Sequence, residues 1–180
     1  DGDSDRFGVI NENGEYVSPN EIISILLMHL KKHKNYSGTL VKTVGASLLL
    51  NKVAEKLGVE VIETAVGFKH VGEAMRRFNP IIGGEESGGL SIQGHIPEKD
   101  GILANLLVLE AMAYANKSLV ELQKDLYILN VSYNEIEVFH NDNQCPQIRI
   151  LKNLEKEVVF QVSLSHDRAK AIAFVTAEVQ

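Results

Sequence analysis

Cysteine is nearly absent from this 180-residue chain: Cys145 stands alone, so no internal disulfide framework can form. That excludes the small stapled secreted scaffolds and points to a reducing compartment, the cytoplasm. Apolar runs are short, and none approaches the ~20 residues that a membrane-spanning helix requires. The opening residues, DGDSDRFG, are acidic and polar, so no signal peptide is expected; with a first residue other than Met, the chain reads as a piece of something longer. Positive charge is scarce as well. Lys and Arg number 18 against 24 Asp and Glu, a formal net charge of −6, and a broad basic surface for nucleic acid is excluded. What is present, 44% hydrophobic and 23% charged residues, suffices for one well-cored domain and a remainder.

Hydrophobic periodicity organises the first two thirds. Ser18-Pro19-Asn20-Glu21 combines a cap, a first-turn proline and a carboxylate three residues after the cap, and predicts a helix continuing through Ile22, Ile25, Leu26 and Leu30. Residues 39–44 read as a strand, 47–57 as a helix ended by Gly58, 59–63 as a strand and 71–78 as a short helix. Pro80-Ile81-Ile82 leads into a glycine-rich turn followed by Leu90-Ser91-Ile92. Residues 100–115 are apolar nearly all round, which predicts a helix buried inside the domain, and another helix follows over 118–127. Strands alternating with helices predict an α/β fold, a layered mixed sheet flanked by helices, over 11–128. Residues 1–10 are assigned to a metal-binding loop closing a preceding domain, and 129–180, with strands expected at 136–139, 148–151, 158–164 and 171–175, to a small β-rich tail, a partial or divergent last domain.

Asp1, Asp3 and Asp5 alternate around Gly2 and Ser4, so a curved loop can turn their carboxylates toward one hard cation, Mg²⁺ or Ca²⁺. A solvated acidic turn is the plain alternative. An EF-hand is another, because Glu12 falls at the twelfth position of the loop. Against it, Arg6 stands where the sharp turn wants glycine, and residues 11–14 form a turn rather than an exiting helix. Arg6 suits a phosphate site better: a cation neutralises phosphoryl oxygens while a neighbouring guanidinium grips an anion with two hydrogen bonds.

The segment Gly83-Gly84-Glu85-Glu86-Ser87-Gly88-Gly89 is not a P-loop, since no Lys-Ser/Thr closes it. Its two carboxylates and hydroxyl suit sugar hydroxyl groups, the alternative being a hairpin turn with exposed acids. In His95-Ile96-Pro97-Glu98-Lys99-Asp100-Gly101, Asp100 is a plausible helix cap and Lys99 lies beside a helix N-terminus, where an anion is favoured. Val66-Gly67-Phe68-Lys69 joins a strand to a helix, a frequent place for ligand loops in α/β sheets. His29 and His33, four apart on the first helix, lie among lysines without a companion glutamate motif and are read as a solvated face; His70, His140, His166 and Cys145 have no ligand-spaced partners, and Tyr114 and Tyr127 are read as packing.

Together, DGDSDR (1–6), AVGFKHV (65–71), GGEESGG (83–89) and HIPEKDG (95–101) closely resemble the α-D-phosphohexomutase family, the phosphoglucomutases and phosphomannomutases, over residues 1–127. The resemblance implies four domains around a cleft: a phosphoserine in the first, the metal loop in the second, sugar recognition in the third, and the substrate's phosphate held by the fourth. It implies Asp1, Asp3 and Asp5 as Mg²⁺ ligands, Arg6 as support for the phosphoryl group, and Lys42 as an active-site lysine. Glu85 and Ser87 would bind sugar hydroxyls, Lys99 the sugar phosphate, and Gly67 would lie against the ligand. The implied reaction interconverts hexose 1-phosphate and 6-phosphate of glucose or mannose through a bisphosphate.

Departures are informative. Val66 replaces a common threonine, Phe68 stands for tryptophan or histidine, and Gly89 stands where mannose-tolerant relatives often carry histidine, which leans toward glucose. No Ser-His-Asn-Pro phosphoserine loop and no Arg-x-Ser-Gly-Thr phosphate loop occurs, so the chain alone is expected to turn nothing over; its partners are a hexose phosphate and the remaining domains of the enzyme. The rival reading is a non-catalytic module, EF-hand-like and Ca²⁺-binding or holding a sugar phosphate, or an assembly remnant acting through its tail.

Overall fold

The computed structural model describes residues 2–128, 136–140, 146–150, 158–166 and 171–179, with side-chain environments given up to residue 126. Asp1, Cys145 and the side chains of Tyr127, His140 and His166 lie outside that description. The chain divides into two compact units, Asp1–Val131 and Ser132–Gln180.

The first unit opens with a hairpin of β1 (Val9–Ile10) and β2 (Tyr16–Val17), whose turn is tied by Asn11: its side-chain oxygen accepts from the Asn13 and Glu15 backbone N–H groups, each at 3.0 Å. Then come α1 (Pro19–Lys32), β3 (Leu40–Thr43), α2 (Leu48–Lys56), β4 (Val61–Thr64), α3 (Phe68–Phe78), β5 (Ile82–Gly84), β6 (Leu90–Ile92), α4 (Gly101–Ala115) and α5 (Leu119–Ile128). The second unit carries β7 (Ile136–His140) paired antiparallel with β8 (Pro146–Ile150), and β9 (Val158–His166) paired antiparallel with β10 (Ala171–Val179).

The main sheet has the order β4-β3-β5-β6. β3 runs parallel to β4 and β5, while β6 returns antiparallel to β5, so the sheet is mixed as the alternation of elements predicts. Period-two alternation sends successive β3 residues to opposite faces. Leu40 joins a large core with Ile22, Leu26 and Leu30 of α1, Leu50 of α2 and Leu126 of α5. Val41 joins a second cluster with Phe68, Val71 and Met75 of α3. Helices therefore cover both faces, and the turns at the C-terminal ends of β3, β4 and β5 share one edge, the usual ligand edge of such sheets.

Local signals set the element ends. Ser18 Oγ accepts from the Glu21 N–H at 3.3 Å while the Glu21 carboxylate accepts from the Ser18 N–H at 3.0 Å, a complete capping box. α2 ends before Gly58, which sits in the left-handed region at φ 62°. α3 starts at Phe68, earlier than the expected 71, because Phe68 is already buried with Val71 on the helix's apolar face.

Two expectations change. α4 is apolar all round but not buried all round: Leu107 and Val108 face the core, whereas Ile102, Leu106 and Leu109 are about 60% exposed. His29 is no part of a solvated face. It is 3% exposed, its Nε2 lies 3.0 Å from Glu110 Oε2 and its Nδ1 3.2 Å from His33 Nδ1, and the half-exposed Tyr114 ring packs edge-on against it. α1 and α4 meet in space, which puts Glu110 of α4 against His29, and this proximity lies far beyond any sequence window.

The two faces of α4 differ in cost. Leu107→Ala is expected to lose about 2–5 kcal/mol in urea unfolding and Leu106→Ala less than about 0.5 kcal/mol; equal losses would show that the outer face is covered in solution.

Candidate functional site

The aspartate loop is fastened to the domain by backbone hydrogen bonds. Phe7 N–H donates to Gly88 O at 3.0 Å, and Gly101 N–H donates to Ser4 O at 3.0 Å. Asp100 caps α4 through Oδ1, which accepts from the Leu103 N–H at 2.8 Å, and its Oδ2 lies 3.1 Å from His95 Nε2. The Leu103 amide, followed by the His95 contact, holds the Asp100 carboxyl below the usual aspartate range. One capped helix start thus receives the DGDSDR loop, and Phe7 ties the same loop to GGEESGG.

Within the glycine-rich segment the chain reverses: Glu85 N–H donates to Gly89 O at 2.9 Å and Gly88 N–H to Glu85 O at 3.2 Å, joining β5 to β6. Glu85 is only 5% exposed, and its Oε1 accepts from the Gly67 N–H at 3.0 Å. Gly67 sits at φ 116°, a region that side chains with Cβ avoid, so glycine lets the β4–α3 turn aim its N–H at that carboxylate. Burial pushes the Glu85 carboxyl above its ordinary range, with the Gly67 N–H and the charge of Lys99 pulling the other way. Ser87 is exposed, and its Oγ donates a long hydrogen bond of 3.5 Å to Glu85 Oε2.

Lys99 closes the group. Its Nζ lies 2.5 Å from Asp5 Oδ2, and that bond raises the ammonium above the usual lysine range. Asp5 Oδ1 is buried with no hydrogen-bond partner, 3.9 Å from Arg6 Nε. The structure therefore brings Asp5, Arg6, Glu85, Ser87, Gly67 and Lys99 to one neighbourhood. Asp3 is exposed on the same loop, and Asp1 lies outside the described residues. Among the described residues no group of three His, Cys, Asp or Glu side chains is placed to hold a metal ion.

Lys42 has different partners. It is 1% exposed, donates to Ala46 O at 3.2 Å and pairs with Glu63 Oε1 at 2.9 Å across the β3–β4 step, which holds the Glu63 carboxyl below its ordinary range. Next to it, Thr43 Oγ1 donates to Glu86 Oε2 at 2.5 Å. Thr43 carries no motif, and only the adjacency of β3 and β5 in the sheet reveals that it anchors the GGEESGG loop. The EF-hand alternative loses its twelfth-position ligand, because the Glu12 carboxylate accepts from the Val120 N–H at 3.2 Å; β1 lies within the twelve positions and β2 rather than a helix follows them.

Comparison with known proteins bears on the fold that carries these residues. The family model described as phosphoglucomutase/phosphomannomutase, alpha/beta/alpha domain III, matches residues 18–128. The phosphoglucosamine mutase of Rubrobacter xylanophilus is 41% identical over 122 residues, 68% of this chain and 28% of that protein. That of Carboxydothermus hydrogenoformans is 34% identical over 96% of this chain and 35% of that protein. Among solved structures, a putative phosphomannomutase from Thermus thermophilus aligns with a TM-score of 0.71 at 32% identity, covering 91% of this chain and 35% of that one. The chain thus spans about a third of the length of the curated relatives it matches. An N-acetylphosphoglucosamine mutase of Aspergillus fumigatus, solved with GlcNAc-6P and magnesium, shares the fold at a TM-score of 0.53 and 16% identity.

The buried Glu85 carboxyl leaves a pH signature. Between the ordinary glutamate value of 4.5 and the raised folded value, the folded chain keeps a proton that the unfolded chain has lost. Stability therefore falls as pH rises through that window and levels off above it. Glu85→Gln removes the titration while keeping an acceptor for Gly67, so its stability relative to wild type should improve from about pH 4 to pH 7 in urea unfolding. Parallel profiles would show that Glu85 is solvated.

Proposed function

Because the chain belongs to the phosphoglucomutase/phosphomannomutase family, we propose that it is the metal-loop and sugar-recognition part of a mutase interconverting the 6-phosphate and 1-phosphate of a hexose. The observation that carries this reading is the reach of Lys99 from beside the sugar loop onto Asp5, which puts phosphate-facing and sugar-facing groups within one side chain of each other. Glu85 and Ser87 take the sugar hydroxyls, Lys99 the sugar phosphate, and Gly67 lines the pocket while holding Glu85.

The sugar we assign first is glucosamine, ahead of glucose or mannose. Relatives covering most of the chain are phosphoglucosamine mutases, and the paired carboxylates of Glu85 and Glu86 suit an ammonium substituent better than hydroxyls alone.

Asp1, Asp3 and Asp5 would hold Mg²⁺. The donor set is hard oxygen, and the buried Asp5 Oδ1, which makes no hydrogen bond, is an acceptor that a cation would satisfy. When bound, such a metal neutralises charge on phosphoryl oxygens. Arg6 supports the transferring group from beside Asp5, and Lys42 would serve it only by leaving Glu63. The phosphoserine donor and the loop gripping the far phosphate belong to the remaining domains, the partners we assign. The apolar face of α4, beginning where the aspartate loop docks at Gly101, supports further protein in that position. A cytoplasmic setting is proposed on the lone Cys145.

In a coupled assay the 180 residues alone should convert no hexose phosphate. Exchanged for the matching segment of the Rubrobacter xylanophilus enzyme, they should support turnover of glucosamine 6-phosphate in preference to glucose or mannose 6-phosphate. Glu85→Gln in that chimera should cost roughly 10- to 100-fold in kcat/KM. A folded chimera inactive on all three sugars refutes the reading.

A further inference from the structure

Asp5 uses its two oxygens differently: Oδ2 holds the Lys99 ammonium at 2.5 Å, while Oδ1 is buried without a hydrogen bond, 3.9 Å from Arg6 Nε. Lys99 reaches that position by lying over Gly89. A Cβ built on Gly89 would fall 2.6 Å from Lys99 Cδ, 2.8 Å from its Cγ and 3.3 Å from Glu85 Oε2. Gly89 is not among the glycines with left-handed backbone, so what it supplies is space. The ammonium is also attracted by Glu85, and Lys99 and Asp5 are each a quarter exposed, so the side chain has a second carboxylate to turn to and room to turn.

We infer that Lys99 is a cation shared between two loops: without metal it neutralises Asp5, and a divalent ion arriving at the aspartates displaces it toward Glu85 and Ser87, where it meets the anionic group of the substrate. Gly89 is the positioning residue that keeps its path open. The physical basis is repulsion, because a doubly charged ion taking Oδ1, which makes no hydrogen bond, sits beside an ammonium on the same carboxylate. Coupling of this kind is reciprocal: an anion that holds Lys99 at the sugar loop vacates Asp5 and strengthens metal binding. The inference rests on the mutase reading, since it takes the aspartates to be the metal site.

The test uses the full 180-residue chain, titrated with Mg²⁺ alone by calorimetry, with acylation of Lys99 by an activated ester read by peptide mass spectrometry. Lys99→Gln should bind Mg²⁺ about two- to fivefold more tightly than wild type, the scale of a part-exposed ion pair. Gly89→Ala should move affinity the same way by crowding the Lys99 stem, with melting curves confirming that both variants fold. In wild type, Mg²⁺ should accelerate acylation of Lys99, a readout that simple loss of charge near the loop does not provide. Equal or weaker Mg²⁺ binding by Lys99→Gln, with acylation of wild type indifferent to Mg²⁺, overturns the inference and leaves the mutase reading standing. No Mg²⁺ binding by any of the three proteins overturns both.

Discussion

The Lys99–Asp5 ion pair joins two segments that are far apart in sequence and that also meet through the Gly101 N–H bond to Ser4 O. The aspartate loop lies at the start of the chain and the lysine just before the Asp100 cap of α4, and the two side chains meet at 2.5 Å. Around that contact, Ser4 and Phe7 supply the backbone bonds that fix where the loop lands. Without the pair, the loop would present Asp5 with both carboxylate oxygens short of partners in a partly buried position, an expensive arrangement. Charge balance at this point is what lets an acidic chain place carboxylates from two loops side by side.

How much was legible in the sequence depended on distance along the chain. The Ser18 capping box, the Gly58 stop and the Asp100 cap each involve residues within a few positions, and each formed as its motif specifies. The alternation of strands and helices gave the mixed sheet and its two covered faces. What stayed hidden was set by strand order and helix packing. Glu63 meets Lys42 because β4 lies beside β3, and Thr43 meets Glu86 because β5 lies on the other side. Glu110 meets His29 across two helices. In each case one partner is polar and buried, and its companion could not be chosen among the acids of the sequence without knowing the topology.

The GGEESGG loop illustrates how like residues in one motif can take unlike environments. In GGEESGG the two glutamates look alike, but Glu85 is buried and held by the Gly67 amide, whereas Glu86 is anchored by Thr43. The Gly67 N–H, expected from the resemblance to lie against a ligand, is spent on orienting the Glu85 carboxylate. Lys42, placed by resemblance at the active site, is paired with Glu63 and the Ala46 carbonyl.

The outward row on α4 carries its own consequence for how the molecule behaves in bulk. Ile102, Leu106 and Leu109 recur at helical spacing on a surface that nothing among the described residues of the first unit covers. Water ordered over such a ridge is released when two ridges meet, and near room temperature that release is mainly entropic. Preparations of the bare polypeptide should therefore cloud on warming and on adding sulfate, and clear again on cooling.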